Sequence, residues 1–356
     1  MIRSRLQPCI SPWPHRLVVC LALVTFPLIW VGGLVTTYDA GMAVPDWPTT
    51  YGYNLLRYPW QTWLAGPFDL FIEHGHRLLG ALAGLLSLAL LGTVLAVDRR
   101  PWLVAAAAGC VGLVVLQGVL GGLRVLWDAR QIALVHGCVG PLFFAYLGGL
   151  MVATRAGRQT GLAAARPPSP PPPGHIASAW GLAGLAYGQL VLGALLRHVP
   201  VTARPELFRA ALAMHLLVAA ALFAAATSLA WSGRAVDQRR PWGMSWGWLI
   251  ALLVAVQVLL GAFTYVAKYA FPAWLGGFRF AAGYVVAERS LAQSLVTTAH
   301  VANGSLILFL AVVMAARLAR LRWEARGEVQ DVPPTTRWSD AEPLCRRSPE
   351  LEEVPT

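Results

Sequence analysis

Eight separate runs of predominantly apolar residues divide this chain, at about 17–37, 72–97, 101–124, 132–154, 176–196, 209–231, 243–266 and 294–317. A helix needs roughly 20 such residues to cross a hydrocarbon layer about 30 Å thick. With no water at that depth, each span must satisfy its own backbone, which helices do. A barrel of strands would need polar and apolar residues in alternation, and runs such as Ala81 to Ala96 show none. Charged residues make up only 13% of the 356 and hydrophobic ones 57%, too few charges to cover a soluble protein of this size. The expected fold class is all-α: a polytopic membrane protein of eight transmembrane helices.

Loop charge gives an orientation. The net charge of +11 comes from 27 arginines and one lysine, Lys268, scattered among the loops rather than gathered into a patch, so nucleic acid is not an expected partner. With a cytoplasmic N-terminus, 15 basic residues flank the inner ends of the spans and ten lie in the longer outer loops. The bias expects both termini in the cytoplasm and the chain in the cell (cytoplasmic) membrane. No small-residue cleavage site follows the first run, so no cleaved signal peptide is expected. Five cysteines, Cys9, Cys20, Cys110, Cys138 and Cys345, make no CxxC pair and leave the outer loops empty, which supports neither an outer disulfide nor a cysteine zinc site.

The run Pro167-Pro168-Ser169-Pro170-Pro171-Pro172-Pro173 reads as an extended linker. The expected organisation is a cytoplasmic segment (1–16), a four-helix bundle (17–155), the linker (156–175), a second four-helix bundle (176–319) and a charged, disordered tail (320–356). The halves look duplicated: Gln117-Gly118-Val119-Leu120-Gly121, Gln189-Leu190-Val191-Leu192-Gly193 and Gln257-Val258-Leu259-Leu260-Gly261 each close an odd-numbered span, and Trp30 to Gly33 takes that place in the first. Two readings stay open: glycines that let helices approach, with a buried amide bonding to a neighbour, and glycines that make room for a flat ligand.

Four of the eight histidines, His76, His136, His215 and His300, fall one in each even-numbered span, all towards its outer end. One such histidine is as readily a buried hydrogen-bonding residue as a ligand. Four at matching depth in both halves point instead to heme iron clamped between imidazoles of facing helices. The repeat pairs His76 with His136 and His215 with His300. Zinc would find two imidazoles per half and no cysteine or second carboxylate. Glu73 lies one turn from His76 on the same face, where a carboxylate either complements the helix dipole or handles a proton beside a substrate. Arg77 suits a heme propionate or an ion pair with Glu73 or Asp69. His198, at the end of the fifth span, suits a propionate or the membrane interface. His15 and His175 read as solvated flanks.

These residues together resemble the heme A synthase family. The resemblance is carried by Gly32-Gly33-Leu34-Val35-Thr36, Gly41-Met42-Ala43-Val44-Pro45-Asp46-Trp47-Pro48, Glu73-x-x-His76-Arg77, the glutamine–glycine repeats, Gly193-Ala194-Leu195-Leu196-Arg197-His198 and the histidines of spans four, six and eight, from about residue 17 to 317. It implies oxidation of the C8 methyl of heme O to the formyl of heme A by successive hydroxylations, for cytochrome oxidase assembly. It also implies a substrate heme in the first half, flanked by His76 and His136 with Glu73 as the essential acid, and a heme b in the second half on His215 and His300. Heme O, a heme O synthase, cytochrome oxidase assembly factors, membrane lipid and a second copy of the chain are the partners that go with it. Many members carry an outer cysteine pair, one cysteine shortly after Pro-Asp-Trp-Pro; here that place reads Thr49-Thr50-Tyr51-Gly52. Two other readings use the same helices: a diheme b-type electron carrier or quinol oxidoreductase, and a transporter with duplicated halves.

Overall fold

A computed structural model of the chain describes residues 11–155, 171–200, 202–233 and 246–325. Most of the proline-rich linker and the tail beyond Ala325 lie outside the described residues. The helices are α1 (Trp13–Thr37), the short α2 (Trp60–Leu64), α3 (Phe68–Val97), α4 (Pro101–Trp127), α5 (Arg130–Thr154), α6 (Pro173–His198), α7 (Pro205–Gly233), α8 (Trp246–Tyr269) and α9 (Leu291–Ala325). All except α2 are long and apolar enough to cross a membrane. Among the described residues there is no strand, only an isolated bridge between Thr50 and Tyr53.

The eight apolar runs thus become eight spans, six of them a few residues longer than the run, α8 equal to its run but shifted by three residues and α9 longer by eleven, and the ends follow from local chemistry. α4 and α6 open on a proline, whose missing N–H costs nothing where no helical acceptor exists. α6 therefore starts at Pro173, inside the segment read as linker. Between α4 and α5 the chain reverses at Asp128, a residue type that tolerates the left-handed φ of 44° found there. α9 runs eight residues past the apolar run, because Arg320 donates to the carbonyls of Val152 and Arg155 at 2.7 Å each and pairs with Glu324, tying the end of α9 to α5.

The helices pack as two rings. α1 lies against α3 and α5, with α4 closing the circuit; α6 lies against α7 and α9, with α8 closing the second. The rings meet along α5 and α9, flanked by α1 on α9 and α5 on α6. Lipid tails are as apolar as leucine, so this contact depends on close packing rather than on escape from water. Phe144 stacks on Phe309 with centroids 4.3 Å apart, and Gly148 leaves the space that Phe309 and Val313 fill. The loop from Tyr38 to Pro67 covers the end of the first ring, where α1 and α4 finish and α3 and α5 begin. The same end carries all four in-span histidines.

Candidate functional site

The four histidines stand six to ten residues from the start of their helices, roughly 9–15 Å in. α3 and α5 bring the rings of His76 and His136 to a centroid separation of 6.4 Å, and α7 and α9 bring His215 and His300 to the same 6.4 Å. An axial imidazole nitrogen lies about 2 Å from a first-row metal, and its ring centroid roughly 1 Å further, so two imidazoles on opposite sides of one ion put their centroids roughly 6 Å apart. Both pairs fit that spacing. Among the described residues no three of His, Cys, Asp and Glu gather as a metal cluster. Two imidazoles alone make an incomplete shell for a bare ion and a complete axial set for a porphyrin iron.

Each ring is cradled in the same way by the preceding span. A Cβ added to Gly32 would lie 2.7 Å from Cε1 of His76; at Gly121 it would lie 3.4 Å from Cε1 of His136, at Gly193 3.2 Å from that of His215, and at Gly261 3.1 Å from that of His300. The first of these is closer than any real Cβ approaches. Nδ1 of all four rings is sealed from solvent without a hydrogen-bond partner. One turn before three of these glycines, the carbonyls of Leu28, Gln117 and Gln257 sit beside the rings of His76, His136 and His300, outside hydrogen-bond geometry. An imidazole that gives one nitrogen to a metal commonly turns the other towards such a carbonyl. Each of the four residues nevertheless keeps some accessible surface.

The glutamines of the repeat act on the same histidines. Gln117 donates to the His136 carbonyl at 3.2 Å and Gln257 to the His300 carbonyl at 2.8 Å, the latter held in turn by Asn303. Gln189 departs from this pattern: its amide nitrogen lies 3.1 Å from Nε2 of His215. Of the two readings of the repeat, the glycines make room for the imidazole rings, and the glutamines fix the helix beneath two of them.

The Glu73–Arg77 pair builds the roof of the first site. Glu73 is 3% exposed; it accepts from the Val44 amide at 2.8 Å and from Arg77 at 2.8 Å. Arg77 also donates to the carbonyls of Val44, Asp46 and Thr49 at 2.7–2.8 Å. Its terminal nitrogens are thus spent on Glu73 and on the loop, and the ion pair is with Glu73 rather than Asp69. Arg124, which the sequence did not single out, donates to the Gly41 carbonyl at 2.9 Å across a spot where any Cβ on Gly41 would collide with it. Trp47 lies so flat on Gly122 that a Cβ there would enter its indole. His74, on another face from His76, holds Thr50 at 3.1 Å and packs against Tyr58 and Trp63.

The loop that follows Pro-Asp-Trp-Pro is closed by Asp46. Its carboxylate accepts from the Tyr51 amide at 2.8 Å, the Gly52 amide at 2.9 Å and the Thr49 hydroxyl. Desolvation, the largest single influence, pushes the Asp46 carboxyl up, but the three hydrogen bonds together outweigh it and leave it below its ordinary value. The Tyr51 hydroxyl closes back onto the Ala43 carbonyl.

Of the remaining candidates, His198 lies near the same end and His15 at the opposite one. His198 is half-buried, with Nδ1 2.8 Å from the Ala194 carbonyl. His15 is not a freely solvated flank: its Nδ1 meets the Thr154 hydroxyl at 3.1 Å. Cys20, Cys110 and Cys138 are free thiols.

The family model described as cytochrome oxidase assembly protein matches residues 15–203. A curated protein of Symbiobacterium thermophilum named heme A synthase is 30% identical over 261 residues, covering 68% of this chain and 81% of that protein. The matched region takes in the loop with its Asp46 closure, the Glu73–Arg77 pair and the first pair of histidines, and the chain belongs to the heme A synthase family.

Proposed function

We propose that the protein is a heme A synthase, an oxidoreductase of the cell membrane that converts the C8 methyl group of heme O to a formyl group for cytochrome oxidase assembly. The single observation that carries this reading is the pair of histidine couples, each spaced at 6.4 Å and each cradled by glycines of the preceding span. In this reading His76 and His136 flank the iron of the substrate porphyrin in the first ring, and His215 and His300 hold a heme b in the second. The carbonyls beside three of the four rings and the glycine cradles suit such groups. When bound, the heme b supplies one-electron chemistry that the side chains lack.

The chain's own residues supply position and exclusion of water. Glu73 is held from two sides, by Arg77 and the Val44 amide, so its carboxylate stays at one place one turn from His76 and is the group to accept a proton from the reacting carbon substituent. The loop over it, pinned by Arg77 and Arg124, restricts entry of water. His198 remains a candidate for a propionate. Arg77, in this reading, acts mainly by fixing Glu73 and the loop.

The test is co-expression with a heme O synthase in a host lacking heme A, followed by chromatography of the extracted hemes. Heme A or its hydroxylated precursor is expected from the native protein and only heme O from Glu73→Ala. Native protein that yields heme O alone refutes the synthase. The equal spacing of the two couples also favours a second reading, a diheme b-type electron carrier, and extraction of protoheme alone would establish that one.

A further inference from the structure

Two of the three repeat glutamines end under a histidine carbonyl, and each has a seat made for it. Four residues after His136 and His300 stand Gly140 and Gly304. A Cβ on Gly304 would lie 3.1 Å from the amide nitrogen of Gln257, and one on Gly140 would lie 3.5 Å from that of Gln117. The two amides thus lie against bare backbone one turn past the histidine, where they reach its carbonyl at 2.8 and 3.2 Å. Four residues after His215 the chain has Ala219, whose methyl group takes the place that those glycines leave open. Gln189, the third glutamine, is turned instead to the ring of His215, with its amide nitrogen 3.1 Å from Nε2.

That contact falls on the one nitrogen of the ring that iron can use. Nδ1 of His215 is sealed off, which leaves Nε2 as the ligating atom. An amide nitrogen only donates, so Nε2 accepts with its lone pair, and a metal takes that same lone pair. The two uses exclude each other. Ligation by His215 breaks the hydrogen bond to Gln189 and moves no proton, because a neutral ring that accepts at Nε2 already carries its proton on Nδ1. Among the described residues Nε2 of His76, of His136 and of His300 makes no hydrogen bond. Those three rings also have a carbonyl of the preceding span beside them. His215 is therefore the member of the four that is held at its ligating nitrogen.

We propose that Gln189 is a positioning residue that competes with the porphyrin iron for Nε2 of His215, and that Ala219 keeps it in that role by denying its amide the seat beneath the His215 carbonyl. The inference rests on the heme reading and adds an order to it. The second couple closes in two steps, on His300 first and on His215 once the amide of Gln189 lets go. The first couple has no such competitor and closes in one.

Full-length apoprotein whose first couple is silenced by His76→Ala and His136→Ala is mixed with ferric protoheme, and the Soret band is followed in time. The band of a porphyrin with one axial imidazole is expected first, then that of one with two. Gln189→Met keeps the size of the side chain and removes its amide; Ala219→Gly opens the seat beneath the carbonyl. Each is expected to speed the second step and tighten binding about two- to ten-fold, the effect of one hydrogen bond, with the first step unchanged. The double variant is expected to gain no more than either single one, since both act on one contact. A glutamine that only braces the helices gives the opposite sign, and Gln257→Met is expected to weaken binding in this way. Should Gln189→Met not insert, Ala219→Gly carries the test, because it removes one methyl group and leaves every polar group in place. One-step closure before either substitution overturns the inference, as do equal or weaker binding by Gln189→Met or Ala219→Gly and gains that add in the double variant. A protein that takes up no protoheme, or whose uptake and two bands survive His300→Ala, overturns the heme reading at this couple and the inference with it.

Discussion

Gly32 faces His76 at a distance that leaves no room for one more carbon, whereas Gly121 faces His136 with ordinary contact. Gly32→Ala must therefore turn the imidazole or part the helices, an overpacking cost of about 1–3 kcal/mol. Gly121→Ala is expected to be nearly neutral. Spectra and melting of the two variants check this: Gly32→Ala should lose the first-site pigment and keep that of the second, and equal behaviour of the two would refute the steric argument. The Glu73–Arg77 pair gives a second contrast. With Glu73 removed by Glu73→Ala, a buried guanidinium loses its counter-charge, a loss of about 3–5 kcal/mol for interior pairs. Asp39→Ala breaks the exposed pair with Arg289, which solvent screens to about 0–1 kcal/mol. Thermal unfolding in detergent should rank them in that order. The partners of Glu73 were only half legible in the sequence. Helical spacing put Arg77 on the same face, but the Val44 amide and the three loop carbonyls are more than 25 residues away along the chain.

The loop between α1 and α3 is held by polar contacts. Asp46 collects three donors from Thr49 to Gly52, so its folded pKa is depressed. A depressed carboxyl contributes stability that is present above its unfolded value and is lost as pH falls through the folded value. Amide exchange of residues 49–53 is therefore expected to be slow at neutral pH and to rise on acidification below about pH 4, and Asp46→Asn should lose that acid dependence. An acid-independent loop in the native chain would show that the hydrogen bonds of Asp46 do not hold it. Replacing Gly122 by alanine should free the same loop at all pH values, because Trp47 loses its seat. The motif around Pro-Asp-Trp-Pro stood out in the sequence, but what it rests on did not: Gly122 and Arg124 lie on a span read as apolar packing.

The two rings dock through α5 and α9, where Phe144 and Phe309 stack over the space left by Gly148. A Cβ at Gly148 already comes within 3.0 Å of Phe309 and Val313. Gly148→Val is expected to push the rings apart, at a cost of a few kcal/mol, while leaving each histidine couple, which lies within one ring, able to bind its ligand. A lowered unfolding temperature with both spectral signals kept is the predicted result; loss of both signals would show that the couples depend on the docking.

Hydropathy alone determined the number of spans and, apart from the far end of α9, their limits to within a few residues, because a bilayer core accepts little except long apolar helices. Periodicity alone placed one histidine in each even span and named the partners by repeat. Only the tertiary structure decided that the couples stand 6.4 Å apart, that Arg77 serves Glu73 and the loop, and that Arg124 reaches the Gly41 carbonyl of the same loop. The reason is physical. A span's need for lipid is written in its own residues, whereas a charge's partner is whichever group the packing of other helices brings to it.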